Sequence, residues 1–196
     1  MGLVAPYVEG DSVRRITIAD LQDAKSRSEH WPMLTAYDAT TARIFDESGI
    51  PVLLVGDSAA MLVFGFDSTI PITVDHLLPL VQAVVRSSKR AMVVADLPFG
   101  TYQESPEQAL NTAITFIKDG HAHAVKIEGG EHVLPQVHAL VAAGIPVMGH
   151  LGLTPQSINQ LGGYKVQGRG EDGDKIIRDA IALEKAGAFA IVLEVI

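Results

Sequence analysis

Short runs of apolar residues, rich in valine, leucine and isoleucine, recur along the chain between longer segments with helical periodicity. Runs of this length and composition predict buried β-strands. The predicted strands cover residues 33–37, 51–56, 91–96, 124–128, 146–150 and 190–194. Because these runs are apolar on both faces and each follows a helical segment, the pattern predicts a parallel sheet covered by helices.

The intervening segments carry recognisable helix starts and stops. The predicted helices cover residues 17–31, 41–48, 74–88, 105–120, 132–144 and 173–187. Ser105 before Pro106 is typical of a helix start, and Thr73 before His76 is a second capping arrangement. A glycine closes four of these helices, where a left-handed residue is expected. These glycines are Gly49, Gly120, Gly144 and Gly187.

Two architectures satisfy this alternation, an open doubly wound sheet and a closed (β/α)8 TIM barrel. A dinucleotide-binding sheet should show G-x-G-x-x-G after its first strand, and this chain does not. We therefore predict an α/β barrel, with residues 1–196 as a single domain and residues 1–31 as an N-terminal segment with a capping helix. A complete barrel has eight strands and about 250 residues. We expect a barrel that is C-terminally truncated after the sixth strand, with strands 7 and 8 absent.

Ionisable residues stand at the ends of five consecutive predicted strands. They are Asp57, Asp96, Glu128, His150 and Glu194. One such acid alone is most simply a loop residue or a helix cap. Five at equivalent places predict a site, because the carboxyl ends of the strands converge on one face of a barrel.

The acids at these ends predict a metal site. Asp57, Asp96 and Glu128 would repel one another unless a cation lay among them. An all-oxygen set favours Mg²⁺ over zinc. Lys126 lies two residues before Glu128, so both side chains point to the same face. We interpret Lys126 as an ion-pair partner, as a clamp for a substrate carboxylate, or as a Schiff-base nucleophile, and the metal cluster favours the clamp.

Another motif, His121-Ala122-His123, has a spacing that some metal sites use. It precedes a predicted strand and therefore lies at the end of the barrel opposite the carboxylates. We expect these histidines to be structural.

Composition excludes several classes of function. The 196 residues carry a formal charge of −8 without a basic run, which argues against nucleic acid or an anionic membrane as partner. There are no cysteines, so disulfides and thiolate chemistry are excluded. No apolar run approaches the ~18 residues of a membrane span, and the N-terminus lacks the features of a signal peptide. We expect a cytoplasmic protein.

Several segments resemble those of a known family. These are VLLVGDS, MLVFGFDSTIPIT, VVADLPFGTYQESPEQAL, HAVKIEGGE, GIPVMGHLGLTPQSINQLGGYKVQGR and AIVLE. Over residues 34–196 the chain is similar to ketopantoate hydroxymethyltransferases. The resemblance implies a Mg²⁺-dependent (β/α)8 barrel and a homo-oligomer, usually a decamer. It also implies a reaction in pantothenate biosynthesis, in which a one-carbon unit passes from 5,10-methylenetetrahydrofolate to C3 of 2-oxoisovalerate through a Mg-stabilised enolate.

The resemblance also implies roles for individual residues. Asp57 and Asp96 would bind the metal and, through it, the substrate, and Glu128 would complete the metal site directly or through water. Ser58, Lys126 and His150 would bind the ketoacid. Glu194 would be the catalytic base.

Three other functions compete with this one. The first is another Mg²⁺-dependent 2-oxoacid barrel enzyme, of the phosphoenolpyruvate mutase and isocitrate lyase type. The second is a Schiff-base aldolase that uses Lys126. The third is an inactive truncated barrel that pairs with an intact subunit.

Overall fold

Six parallel strands form the centre of the protein. The computed structural model describes residues 14–196. The strands pair in sequence order and form a half-barrel. They are β1 (Met33–Thr35), β2 (Val52–Val55), β3 (Met92–Asp96), β4 (Ala124–Glu128), β5 (Val147–Gly152) and β6 (Ala190–Glu194). The predicted parallel α/β sheet is confirmed, and each predicted strand ends within two residues of the observed bounds.

Helices follow the strands and cover the sheet. They are α1 (Ile18–Ser26), α2 (Ala39–Glu47), α3 (Ala59–Leu62), α4 (Val74–Ser87), α5 (Pro106–Lys118), α6 (Leu134–Ala142), α7 (Ile158–Leu161) and α8 (Glu171–Lys185). None of the helices in residues 14–196 combines the length and apolarity of a membrane span. The predicted helix over 17–31 is too long, because Ser28 adopts a left-handed φ of 57° and the chain turns there. Of the predicted N-terminal segment, residues 1–13 lie outside the described residues.

Helix ends follow the predicted capping chemistry with one exception. The Ser105 hydroxyl accepts a hydrogen bond from the Gln108 N–H at the start of α5. Glycines with positive φ follow α2, α6 and α8 as predicted. The prediction is wrong for Gly120, because His121 takes the left-handed position instead, with a φ of 58°. Gly120 is needed for space, since a Cβ there would lie 2.6 Å from the Phe116 carbonyl oxygen.

The sheet has an apolar cluster on each face. The outward-facing residues of the strands pack against the helices, with Phe116 of α5 and Leu140 of α6 fully buried. The inward-facing residues form a second cluster with Leu21 of α1. This inner apolar floor consists of Val52, Leu54, Met92, Val94, Ala124 and Met148. Since side chains alternate along a strand, the next inward positions carry the polar residues at the carboxyl ends.

At the opposite end of the sheet, His123 joins two strands. Its backbone N–H donates to the Val93 carbonyl at 2.9 Å, and its Nδ1 accepts from the Val93 N–H at 2.9 Å. Burial, together with the Arg15 charge, lowers the pKa of His123 to about 4, so the ring is neutral at pH 7 and can accept. These contacts agree with a structural role for His123.

A buried carboxylate fixes the turn between α4 and β3. Asp46 lies at the end of α2, and its oxygens accept from the N–H groups of Lys89, Arg90 and Ala91 at 2.6 to 2.9 Å. This residue is only 6% exposed. The carboxylate therefore ties helix α2 to the amino end of the central strand β3.

Replacement of Asp46 by alanine is expected to destabilise the fold. Three backbone donors would lose a charged acceptor in a partly buried turn, at a cost of about 2–4 kcal/mol in the free energy of unfolding. Urea unfolding followed by circular dichroism measures the change. The adjacent exposed acid provides the control, because Glu47→Ala should change stability by no more than about 0.5 kcal/mol. Equal stability of the two variants would contradict the structural role of Asp46.

Candidate active site at the carboxyl ends of the strands

The predicted site residues at the ends of β2 to β5 lie together and are buried. Asp57, Asp96, Lys126, Glu128 and His150 are each no more than 3% exposed. They occupy the inward-facing side of the sheet directly above the inner apolar floor. Because the strands are parallel and adjacent, their carboxyl ends meet at one edge.

Lys126 is the cation of the cluster. Its Nζ lies 2.8 Å from Oδ1 of Asp96 and 3.5 Å from Oε1 of Glu128. Burial alone would lower the pKa of Lys126, but the carboxylates of Asp96, Glu128 and Asp57 outweigh burial and raise the pKa above its usual value. The amine is therefore protonated, and a protonated amine is not a nucleophile. This geometry favours the anion clamp over the Schiff base.

Asp57 and Asp96 face each other at the ends of β2 and β3. The Asp57 N–H donates to Oδ2 of Asp96 at 3.1 Å. Burial and the neighbouring charge of Asp96 raise the pKa of Asp57 to about 7, and burial also raises the pKa of Asp96. One lysine does not offset the repulsion among the acids, so the pair is electrostatically suited to a further cation.

Ser58 lies beside this pair and contacts a tyrosine. Its hydroxyl lies 2.6 Å from that of Tyr37, which follows β1. Gly56 leaves space in front of them, since a Cβ there would lie 3.1 Å from Oγ of Ser58 and 3.7 Å from both Oδ2 of Asp96 and the Tyr37 hydroxyl. The absent side chain of Gly56 thus leaves a small space bounded by two hydroxyls and a carboxylate, which we call the recess at Gly56.

Glu128 is held by several donors. We assign Nδ1–H of His150 as a donor to its Oε1 at 3.1 Å, and Lys126 approaches the same oxygen. The Gln156 N–H donates to Oε2 at 3.1 Å. Burial would raise the pKa of Glu128, but Lys126 and His150 outweigh burial and lower the pKa. Glu128 is thus an ionised carboxylate with both oxygens engaged.

Glu194 lies at the rim of the cluster and is partly exposed. Its side chain is 41% exposed at the end of β6, and its Oε2 lies 3.3 Å from Nε2 of His150. This contact lacks hydrogen-bond geometry, because Nε2 has no such partner within residues 14–196. Burial and Lys126 would lower the pKa of His150, yet Glu128 and Glu194 outweigh them and raise it. Glu194 therefore reaches the cluster at its rim, through His150.

The predicted three-acid metal site is not preformed. Within the described chain, no group of three His, Cys, Asp or Glu side chains is placed to hold a metal ion. Glu128 is engaged elsewhere, whereas Asp57 and Asp96 present hard oxygen donors beside the recess at Gly56. The donor chemistry of these two residues fits a divalent cation such as Mg²⁺ that is completed by further oxygen ligands.

Two site residues were missed from sequence. Gln156, after β5, contacts Asp57 and Glu128, and Tyr102, after β3, donates to Gln156 at 2.7 Å. Both fall within segments that resemble the family, which is the only sequence signal for them. Neither residue is charged, so the pattern of ionisable residues at the strand ends does not identify them.

Comparisons with known proteins agree with the resemblance. A family model described as Ketopantoate hydroxymethyltransferase matches residues 15–196. A 3-methyl-2-oxobutanoate hydroxymethyltransferase from Thermobifida fusca is 65% identical over 192 residues, which cover 97% of this chain and 69% of the relative. A second enzyme of the same name, from Frankia alni, is 66% identical over 182 residues, which cover 93% of this chain and 60% of the relative. The chain thus spans 60% to 69% of the length of these relatives.

Solved structures share the fold at low sequence identity. A phosphonopyruvate hydrolase in complex with oxalate and Mg²⁺ matches with a TM-score of 0.68 and 15% identity, over 90% of this chain and 62% of that one. A 2,3-dimethylmalate lyase of the PEP mutase and isocitrate lyase superfamily matches with a TM-score of 0.63 and 21% identity. This match covers 90% of this chain and 62% of the lyase chain.

Because the family model covers nearly all described residues, the chain belongs to the ketopantoate hydroxymethyltransferase family.

Proposed function

We propose that this chain carries the active site of a 3-methyl-2-oxobutanoate hydroxymethyltransferase. The enzyme would make ketopantoate from 2-oxoisovalerate and 5,10-methylenetetrahydrofolate in pantothenate biosynthesis. The observation that carries the proposal is the buried cluster of Asp57, Asp96 and Lys126 at the carboxyl ends of β2, β3 and β4. Two acids and one ammonium group can together hold a cation and the carboxylate of a 2-oxoacid.

Each residue has a distinct role in this proposal. Asp57 and Asp96 would hold Mg²⁺ directly, and Glu128 would act on it through water. The metal would supply Lewis-acid stabilisation of the charge that develops on the keto oxygen. The Ser58 hydroxyl and the Lys126 ammonium group would bind the substrate carboxylate.

Proton removal would take place at the rim of the cluster. Glu194 would accept the proton from C3 of the oxoacid, and His150, held by Glu128, would orient the Glu194 carboxylate. The C3 carbanion would then form the new bond to the methylene carbon of the folate. One water molecule enters the overall reaction, because the transferred carbon ends as CH₂OH and tetrahydrofolate leaves.

Exchange of the C3 proton of 2-oxoisovalerate tests the function. Proton NMR in D₂O should show exchange that requires Mg²⁺ and is stopped by EDTA, and added methylenetetrahydrofolate should then give ketopantoate. Exchange that persists in EDTA, with borohydride trapping of substrate on Lys126, would indicate an aldolase instead. No exchange by the chain alone, together with co-purification of a full-length homologue, would indicate an inactive partner subunit.

The recess at Gly56 should be required for binding of the oxoacid. A Cβ at this position would lie 3.1 Å from Oγ of Ser58, so we expect Gly56→Ala to weaken 2-oxoisovalerate binding by about tenfold or more. Isothermal titration calorimetry with Mg²⁺ present measures the affinity.

The control for this variant is Gly144→Ala, at the opposite end of the sheet. Gly144 has a φ of 78° and open space around its Cα, so the change should lower stability by about 1 kcal/mol and leave affinity intact. Unchanged affinity in Gly56→Ala would remove the recess from the proposed binding site.

The sheet is proposed to form six strands of a (β/α)8 barrel. Sequential parallel pairing and polar groups at the carboxyl ends support this architecture. Within residues 14–196, β1 and β6 each pair on one side only. The homo-oligomeric state, a decamer by resemblance, and the cytoplasmic location stay predictions, and light scattering after size exclusion would test the first.

A further inference from the structure

Gln156 connects three strand ends across the candidate site. It lies in the short 3₁₀ turn Pro155–Ser157 after β5 and is 4% exposed. Its Nε2 donates to Oδ2 of Asp57 at 2.9 Å and to the Leu97 carbonyl oxygen at 2.9 Å. Its backbone N–H donates to Glu128. One uncharged residue therefore contacts two acids of the site, one through its side chain and one through its backbone.

The hydrogen bonds determine the orientation of the Gln156 amide. Both amide hydrogens are used, and Oε1 accepts from the Tyr102 hydroxyl at 2.7 Å and from Nε2 of Gln103 at 3.3 Å. The reversed amide would place its oxygen against the Leu97 carbonyl and the Asp57 carboxylate, two repulsive contacts. The side chain is thus fixed in a single orientation by groups on both sides.

This amide is the only side-chain donor to the Asp57 carboxylate within residues 14–196. The bond occupies Oδ2 and leaves Oδ1 without a hydrogen-bonding partner in the same part of the chain. A neutral donor also suits this position. It orients the carboxylate without contributing a positive charge that would compete with a cation for it.

We propose that Gln156 is the positioning residue of Asp57, holding its carboxylate in the orientation that binds the divalent cation. The inference rests on the proposed function, because that function places the cation at Asp57 and Asp96. Gln156 touches neither the cation nor the oxoacid in this proposal. It acts through Asp57 and, by its backbone, through Glu128.

A matched pair of variants tests the role. Gln156→Met keeps the length of the side chain and removes the amide. Gln136→Met makes the same change at another buried glutamine, whose Nε2 donates to the Tyr102 carbonyl oxygen at 3.1 Å and whose side chain has no hydrogen bond to an acid within residues 14–196. Mn²⁺ binding, followed by electron paramagnetic resonance, reports on the cation without turnover. We expect Gln156→Met to weaken Mn²⁺ binding by about 10- to 100-fold. Gln136→Met should leave the Mn²⁺ affinity within about twofold of the wild-type value.

The dependence of the proton-exchange rate on Mg²⁺ concentration provides a second readout. Gln156→Met should raise the Mg²⁺ concentration needed for half-maximal proton exchange, and saturating Mg²⁺ should restore most of the rate. A variant that is merely less stable would lose rate at every Mg²⁺ concentration. Equal Mn²⁺ affinity in Gln156→Met and wild type would overturn the proposal.

A double-mutant cycle separates this inference from the proposed function. Asp57→Ala, Gln156→Met and their combination are compared by urea unfolding without metal, because each single change removes one partner of the bond. We expect the unfolding equilibrium constant of the double variant to differ by about fivefold or more from the product of the two single effects, because the two residues share a buried hydrogen bond. If wild type binds no Mn²⁺, the proposed metal site fails, and the cycle alone then decides whether Gln156 positions Asp57. An additive cycle would overturn the positioning role.

Discussion

Glu194→Gln is expected to abolish exchange of the C3 proton of 2-oxoisovalerate and to leave binding of the oxoacid almost unchanged. The amide has the same shape as the carboxylate but cannot accept the proton. A positioned base typically contributes about 10²- to 10⁴-fold, so the exchange rate measured by NMR should fall by that factor. The contact of Glu194 with His150 lies at the rim of the cluster, so the buried charges below it stay in place.

A surface acid provides the control for this experiment. The Glu184 carboxylate on α8 lies 3.9 Å from Nζ of Lys25, in an exposed ion pair away from the strand-end cluster. Glu184→Gln should therefore retain the wild-type exchange rate. Exchange that persists in Glu194→Gln would assign the proton transfer to another group and leave Glu194 with a binding role at most.

Lys126→Met is expected to have the largest effect on stability. The ammonium group is the cation nearest to Asp96 and Glu128, and all three side chains are almost fully buried. Removing one partner of a buried ion pair commonly costs about 3–5 kcal/mol, because the remaining charge has lost its compensation. Urea unfolding of the metal-free protein should show a loss of this size. Binding of 2-oxoisovalerate should be lost as well.

The comparison variant for Lys126 is Lys118→Met at the exposed end of α5. It removes the same charge from a solvated position, and its effect should stay within about 0.5 kcal/mol. A Lys126→Met protein as stable as Lys118→Met would mean that the buried acids are neutralised by protons, with no dependence on the lysine.

Much of the fold is encoded in patterns that sequence alone displays. Apolar runs of five or six residues between glycine-ended helices predicted the parallel sheet, because burial on both faces requires such runs. The two-residue spacing of Lys126 and Glu128 predicted their common face, and the two side chains do meet. These features depend on local periodicity, which a sequence shows directly.

Features that depend on tertiary distance were missed. Gln156 meets Asp57 across 99 residues of chain, and an uncharged loop residue gives no local sign of such a contact. Asp46 reads as an ordinary acid at the end of a helix, and only the packing of α2 against the α4–β3 turn buries it. The exposure of Glu194 was also missed, because the surroundings of β6 depend on what packs beside that strand.

The inner apolar floor has a consequence for how charge acts in the site. Met92, Val94, Ala124 and Met148 are buried apolar side chains beneath the carboxylates, so the medium on that side of the charged layer has a low dielectric constant. Charges that lie against such a layer interact more strongly with one another, and with a bound ion, than charges surrounded by water. Side chains in the floor can then adjust the strength of these interactions without touching any group that a substrate or ion would meet.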